Sequence, residues 1–336
     1  MVFRGEKQFD ESEDAAMVAK HFNCNHHEVE LTKNDLLETA DKILNHSDEP
    51  FADSSSIAMH ALSHKVRPQI KVALSGDGGD ELFAGYYKHL ALYYSFEHPF
   101  WCQALRLFSP IINLLPSSRE EGLSNSLRKL QRFSTSAGLP PAPRYWNWAG
   151  YGNPLKPYKN NTLNADTFLS EIHEKKIETF DDCLKMDLRM VLEGDMLVKT
   201  DRMSMMNGLE VRVPFLDHNF VEMVSRIPSG IKIAKNDKKM LLKESFAHML
   251  PEEILNKQKH GFEVPLKKYL QSDLSNHLNT FLDESQILDQ GIFDIKSIRK
   301  GKRMLMRKNS GNAEYSLWNL MIFNSWYQRN KDMIEA

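Results

Sequence analysis

An α/β fold with a parallel sheet, passing into a mainly helical C-terminal half, is what this sequence predicts, on three observations. Short β-rich runs alternate with amphipathic helical segments as far as Tyr86. One of those runs, Ile70–Leu74, ends abruptly in Ser75-Gly76-Asp77-Gly78-Gly79-Asp80-Glu81, the kind of glycine loop that parallel strands feed at their carboxyl ends. Beyond Tyr86 strand signals fade, and from Asp181 onward helical periodicity returns in long segments.

The elements follow in order. Ala15, Val18, Ala19 and Phe22 recur at helical spacing behind an Asp10-x-x-Glu13 capping signature, which predicts a helix from Asp10 to Phe22. Val29 and Leu31 alternate with Glu28 and Glu30, so His27 to Leu31 reads as a strand. Leu36, Leu37, Ala40, Ile43 and Leu44 give a face to the next helix, and Ile57, Ala61, Leu62 and Val66 to the one after it. Ile70–Leu74 then reads as a buried parallel strand. Pro110, Pro116, Pro140, Pro141 and Pro143 break the middle of the chain into short helices and loops. Helices are expected at Met196–Met206, Lys239–Met249 and Ala313–Tyr327. With no repeat, low-complexity tract or flexible linker, the chain reads as one domain over 1–330, with an α/β nucleotide-binding part at 1–95 and a mainly helical part at 96–330.

A net charge of -2 gives no general basic field, so neither nucleic acid nor an anionic membrane surface is an expected partner, and any phosphate must be gripped locally. The cysteines, Cys24, Cys102 and Cys183, are three and far apart, which argues against a disulfide framework and for a reducing compartment. No apolar run approaches the ~18 residues of a membrane span, and the first residues lack the apolar stretch of a secretion signal, so a cytoplasmic protein is expected.

The Ser75–Glu81 loop concentrates glycines and carboxylates. Glycines let backbone amides turn toward an anion, and carboxylates beside them suit magnesium, which bridges carboxylate and phosphate oxygens. Asp77 and Asp80 are the candidate carboxylates. A polar turn capping a helix accounts for the same spacing equally well.

The stretch Ser75-Gly76-Asp77-Gly78-Gly79-Asp80-Glu81-Leu82-Phe83-x-Gly85-Tyr86 resembles the signature of the glutamine-dependent asparagine synthetases, in their C-terminal synthetase domain of ATP-pyrophosphatase type. Three further stretches agree in order: Asp48-Glu49-Pro50-Phe51-Ala52-Asp53; Asp201-Arg202-Met203-Ser204-Met205 leading to Leu209-Glu210-Val211-Arg212-Val213-Pro214-Phe215-Leu216-Asp217; and Lys239-x-x-Leu242-Lys243 leading to Lys259-x-Gly261-Phe262. The likeness spans nearly the whole chain. It implies a sheet of the adenine nucleotide alpha-hydrolase type. It also implies an ATP-dependent carbon–nitrogen ligase that adenylates the side-chain carboxylate of aspartate, releases pyrophosphate and lets ammonia displace AMP. Substrates would be ATP with magnesium, aspartate, and ammonia or glutamine through a glutaminase domain or partner chain.

By the same resemblance Lys239 would contact the phosphates and steady the transition state, Ser75 and Gly76 would meet the adenosine, and Gly78 and Gly79 would complete the nucleotide loop. Asp80 would hold the metal, and Asp77, a position often glutamate in the family, would sit near the acyl-adenylate and help ammonia react. Glu210 and Arg212 read either as substrate-side groups or as a buried ion pair on an alternating edge. Cys24, His26 and His27 lack the spacing of a zinc site, and Tyr145, Trp146 and Trp148 read as packing groups.

The sequence departs from the family pattern at its start. Family members carry a glutaminase nucleophile, a cysteine, directly after the initiator methionine, whereas this chain has Val2. The family's Ser-Gly-Gly-x-Asp-Ser pyrophosphate loop does not occur, and its next landmark appears as Phe9-Asp10-Glu11-Ser12. The expectation is a synthetase domain truncated at its N-terminus, with a strand edge and apolar surface laid open. Competing readings are a related adenylating enzyme acting in β-lactam, peptide or polysaccharide chemistry, and a non-catalytic fragment or pseudoenzyme of the same fold.

Overall fold

The computed structural model describes residues 2–3, 10–115, 122–150, 155, 168–169, 171–172, 176–233, 237–257, 264–307 and 309–334. Phe9, Pro116 and the Lys259-x-Gly261-Phe262 motif lie outside them.

The architecture is α/β, mostly helical, with a small parallel sheet in two pieces. Strand β1 (Val2–Phe3) pairs in parallel with β2 (Glu30–Leu31). Strand β3 (Val72–Leu74) pairs in parallel with β4 (Glu210–Arg212), with Val72 beside Glu210 and Leu74 beside Arg212. The strand expected from His27 is thus reduced to its last two residues.

Among the described residues three helices precede the β3 loop. Helix α1 (Ser12–His21) buries none of its residues, and Asp10 accepts the Ser12 amide at 2.9 Å rather than leading a capping box. Helix α2 (Lys33–His46) starts with a true capping box, in which the Thr32 hydroxyl and the Asp35 carboxylate each satisfy the other's amide. It buries Leu36, Ala40, Ile43 and Leu44 against α3 (Ser55–Val66) and the last helix, Ala313–Ile334, whose Trp318 and Met321 are fully buried. Each such side chain removed from water is worth about 1.5–3 kcal/mol, so this core is a main source of stability.

Past the loop, α4 (Gly79–Leu82) is a single turn. Helices α5 (Tyr87–Glu97), α6 (Pro99–Ile112), α7 (Gly122–Ser136) and α8 (Pro141–Ala149) follow. With the Phe180–Asp187 helix they enclose a second core around Leu92, Tyr145, Cys183 and Met186. Pro110 is accommodated inside α6, which turns Phe100, Trp101 and Leu107 outward. Tyr145 and Trp148 are buried packing groups, as the sequence reading expects, whereas Trp146 is exposed.

Two expectations need correction. Strand β3 is not buried: Val72 is 41% exposed and Leu74 73%. Among the described strands it pairs only with β4. The helix expected at Met196–Met206 is the continuation of a longer one, since Leu188–Leu197 is π-helical and passes into a regular helix at Val198–Met205. π-Helical turns carry a backbone cost and are retained mostly where a side chain must be aimed. Among the described residues no helix is long and apolar enough to cross a membrane.

Candidate active site

The loop grows directly out of the sheet. The ladder between β3 and β4 extends one step, with the Ser75 amide donating to the Arg212 carbonyl at 2.8 Å. Gly76 is exposed, and a Cβ there would meet nothing within 4 Å. Gly78 has φ 85°, a left-handed value, and a Cβ would stand 2.5 Å from Leu216 Cδ2, so only glycine fits. Gly79 lies against the Phe215 ring. The chain then turns into α4, with the Leu82 amide donating to Gly78 O at 2.9 Å. Leu82 and Phe83 anchor that turn in a third core with Val224, Phe215, Leu216, Phe220, Leu241 and Leu242.

The same core places Lys239. Leu241 and Leu242 hold the start of the Met240–Phe246 helix, and Lys239 precedes it with φ 56°, a left-handed conformation that costs a non-glycine residue of order 1 kcal/mol. The expected helix therefore begins one residue later and ends three residues earlier. From this position the Lys239 Nζ reaches 3.0 Å from Asp80 Oδ1, although the two residues are more than 150 positions apart. Gly85 makes the approach possible: a Cβ there would lie 1.9 Å from Asp80 Oδ1 and 2.3 Å from Lys239 Cε.

Asp77 is held differently. Its Oδ2 accepts hydrogen bonds from the Ser75 hydroxyl at 2.9 Å and from the Thr200 hydroxyl at 2.9 Å. The Ser75 hydroxyl in turn accepts from the Asp77 amide at 3.3 Å. Of the expected residues, then, Asp80 and Lys239 meet directly and Ser75 and Asp77 bond to each other. Gly76 lines the open side of the loop, and Gly78 and Gly79 pack beneath it.

Two further motif segments converge beside the loop. Lys199 Nζ lies 2.8 Å from Asp53 Oδ2, and Arg202 Nη2 lies 2.8 Å from Glu49 Oε2. Asp53 also accepts from the Ser55 amide and hydroxyl. Burial opposes its ionisation, but Lys199 and the Ser55 bonds outweigh burial and hold the carboxyl below its ordinary range. Asp195, on the π-helical stretch, goes the other way: burial first, then the neighbouring Asp53 carboxylate, push it up to about 6. A carboxyl raised on folding stabilises the fold below its ordinary value, and that contribution is lost as pH rises through about 6. Asp195→Asn therefore removes a stability decrease on the order of 2–3 kcal/mol between pH 4 and pH 7. Urea unfolding at pH 4 and pH 7 checks this, and an unchanged pH dependence in the variant contradicts it.

On the far side of α4 lies a buried polar network. Asp187 is fully buried and accepts from Lys88 Nζ, from His89 Nε2 at 2.5 Å and from the Tyr145 hydroxyl at 2.5 Å. The Tyr86 amide donates to His89 Nδ1, so both ring nitrogens are engaged. Tyr86 donates its hydroxyl to Glu81, and burial together with that carboxylate pushes the phenol well above its ordinary value. Sequence reasoning missed this network and Thr200, because polar residues inside amphipathic helices look like ordinary surface positions.

The remaining sequence readings resolve simply. Arg212 Nε and Glu210 Oε1 are 2.8 Å apart, an ion pair that is exposed rather than buried. Asp217 caps the His218–Ser225 helix by accepting the Asn219 and Phe220 amides. His26 and His27 are exposed, and Cys24, Cys102 and Cys183 are free thiols.

Among the described residues no group of three or more His, Cys, Asp or Glu side chains could hold a metal by itself. Asp80 offers one hard carboxylate oxygen, which fits magnesium arriving with a nucleotide, since that ion takes one or two carboxylates and completes its shell with phosphate and water.

An asparagine synthase family model matches residues 1–328. The chain belongs to the asparagine synthase family. It is 28% identical over 296 residues to asparagine synthetase [glutamine-hydrolyzing] 1 of Bacillus subtilis, covering 86% of this chain and 45% of that protein. It is also 28% identical over 330 residues to a putative asparagine synthetase [glutamine-hydrolyzing] of Mycobacterium bovis, covering 95% of this chain and 48% of that one. A protein named amidase chyE from Penicillium rubens is 23% identical over 317 residues, covering 85% of this chain and 46% of its own length. The chain spans about half the length of the curated relatives it matches.

Proposed function

We propose that this asparagine-synthase-family chain is an ATP-dependent amide-forming ligase of the adenine nucleotide alpha-hydrolase fold, which activates the side-chain carboxylate of aspartate as an acyl-adenylate and passes it to ammonia. The observation that carries the reading is the 3.0 Å approach of Lys239 to Asp80 at the carboxyl end of β3. One cation-binding carboxylate and one ammonium group stand together where open α/β sheets take ligands. Ammonia would come from a glutaminase domain or partner chain.

In this reading Asp80 holds magnesium, which when bound neutralises phosphate charge. Lys239 leaves its ion pair with Asp80 to meet the phosphates, where its charge is fixed in advance of the transition state. Ser75 and Gly76 present the rim of the loop to the nucleoside, and Gly78 and Gly79 shape the loop by close packing. Asp77, pinned by two hydroxyls, faces the acyl carbon.

The test is aspartate-dependent exchange of labelled pyrophosphate into ATP by the purified chain. Exchange that requires aspartate supports the proposal; no exchange above a no-aspartate control contradicts it. The likeness to an amidase-named fungal protein makes a different acid the competing substrate. Exchange driven by other carboxylic acids and not by aspartate would establish that alternative.

A further inference from the structure

We infer that Thr200 is the positioning residue for the amide-forming half of the reaction, an inference that rests on the adenylating reading above. Asp77 receives two hydroxyl hydrogen bonds on the same oxygen, from Ser75 and from Thr200, each at 2.9 Å. The two differ in kind. Ser75 belongs to the same loop, so its bond moves when the loop moves. Thr200 comes from a helix 123 positions away and is only 5% exposed.

That helix is fixed on several sides. Lys199 is tied to Asp53, Arg202 to Glu49, and Met203 is buried in the large core with Ile57 and Ala61 of α3. The Thr200 hydroxyl therefore references the Asp77 carboxylate to the rigid part of the molecule. With Oδ2 taking both donors, and no described residue donating to Oδ1, the second oxygen is the proton acceptor of the pair.

The chemistry needs that oxygen in one place. The nitrogen lone pair of ammonia attacks the acyl carbon, a C–N bond forms, and the C–O bond to AMP breaks with its electron pair leaving on the phosphate. The nitrogen then sheds one proton, which Asp77 Oδ1 takes, so that the products are the amide, AMP and a proton carried off by the carboxylate. A misplacement of about 1 Å in such a base costs on the order of a hundredfold in rate, whereas adenylation, in which Asp77 takes no proton, is far less sensitive.

Thr200→Val keeps the shape of the side chain and removes the hydroxyl; Thr200→Ser keeps the hydroxyl and removes the methyl group. With ammonia as nitrogen source, the quantity to measure is amide formed per pyrophosphate released, beside aspartate-dependent exchange; acyl-adenylate that ammonia fails to capture is hydrolysed by water to aspartate and AMP, so pyrophosphate is released without amide. Thr200→Val is expected to lower amide per pyrophosphate about tenfold or more and exchange by no more than about threefold, and Thr200→Ser to restore the ratio to within about twofold. In an Asp77→Asn background the Thr200→Val change is expected to add nothing, because both remove the same interaction. Wild-type amide per pyrophosphate in Thr200→Val overturns the inference. So does a parallel loss of exchange and amide that Thr200→Ser does not restore, which would mark the residue as a packing element. If the unaltered chain shows no aspartate-dependent exchange, the adenylating reading fails and this inference falls with it.

Discussion

Lys239→Gln is expected to reduce aspartate-dependent ATP–pyrophosphate exchange by at least about a hundredfold, the usual cost of removing one preorganised charge from a developing anion. Glutamine keeps a hydrogen-bonding group, one atom short of the amine, and carries no charge, so the change removes chiefly the electrostatic part. The loss should appear in the rate more than in the aspartate KM, since the amine acts on the phosphates as charge builds there. Arginine is not expected to rescue. The left-handed backbone at Lys239 and the close approach over Gly85 leave room for a single ammonium and not for a planar guanidinium. A Lys239→Gln chain that exchanges at the wild-type rate would remove Lys239 from the chemistry.

Asp187→Asn is expected to cost about 3–5 kcal/mol of stability, the largest effect of any single isosteric change in the second core. The carboxylate is fully buried, and its loss leaves the Lys88 ammonium enclosed without a counter-charge and the His89 and Tyr145 donors facing an amide. Burial works against the ionised form of Asp187, but Lys88 and His89 outweigh it and hold the carboxyl far below the ordinary range. A carboxyl depressed on folding contributes stability above its unfolded value of about 4 and surrenders it as pH falls below that. The wild-type protein should therefore lose this contribution only in strong acid, and the variant should show a flatter acid limb. Urea unfolding across that range checks both points. Lys88→Met in the Asp187→Asn background is expected to recover part of the loss by removing the stranded charge.

The loop from Ser75 to Glu81 and Lys239 were legible in the sequence because each belongs to a contiguous motif whose residue types have few other uses in combination. Their convergence was an inference from likeness, and the third core, through Leu82, Leu216 and Leu242, is the packing that achieves it. Thr200 was not legible, since a hydroxyl on a helix gives no periodic signal and its partner is 123 positions away. Asp187, His89 and Lys88 escaped for a related reason: a buried polar residue and a solvated one are written with the same letter. The helices α2 and α3 were read closely because their apolar stripes face a single core. Strand β3 was read as buried from its apolar run, but burial depends on neighbouring elements, and composition does not specify which of them stand beside it. The π-helical stretch at Leu188–Leu197 differs from a regular helix by one residue in its hydrogen-bond step, which apolar spacing over ten residues does not resolve.

Binding of ATP to the purified chain, followed by calorimetry with and without magnesium, tests most directly whether the loop and Lys239 form one nucleotide and metal site. Magnesium-dependent binding is expected in the unaltered chain, weakening about tenfold or more in Asp80→Asn, with the magnesium dependence lost, and weakening also in Lys239→Gln. Binding of ATP that is indifferent to magnesium and equal in all three proteins would contradict it.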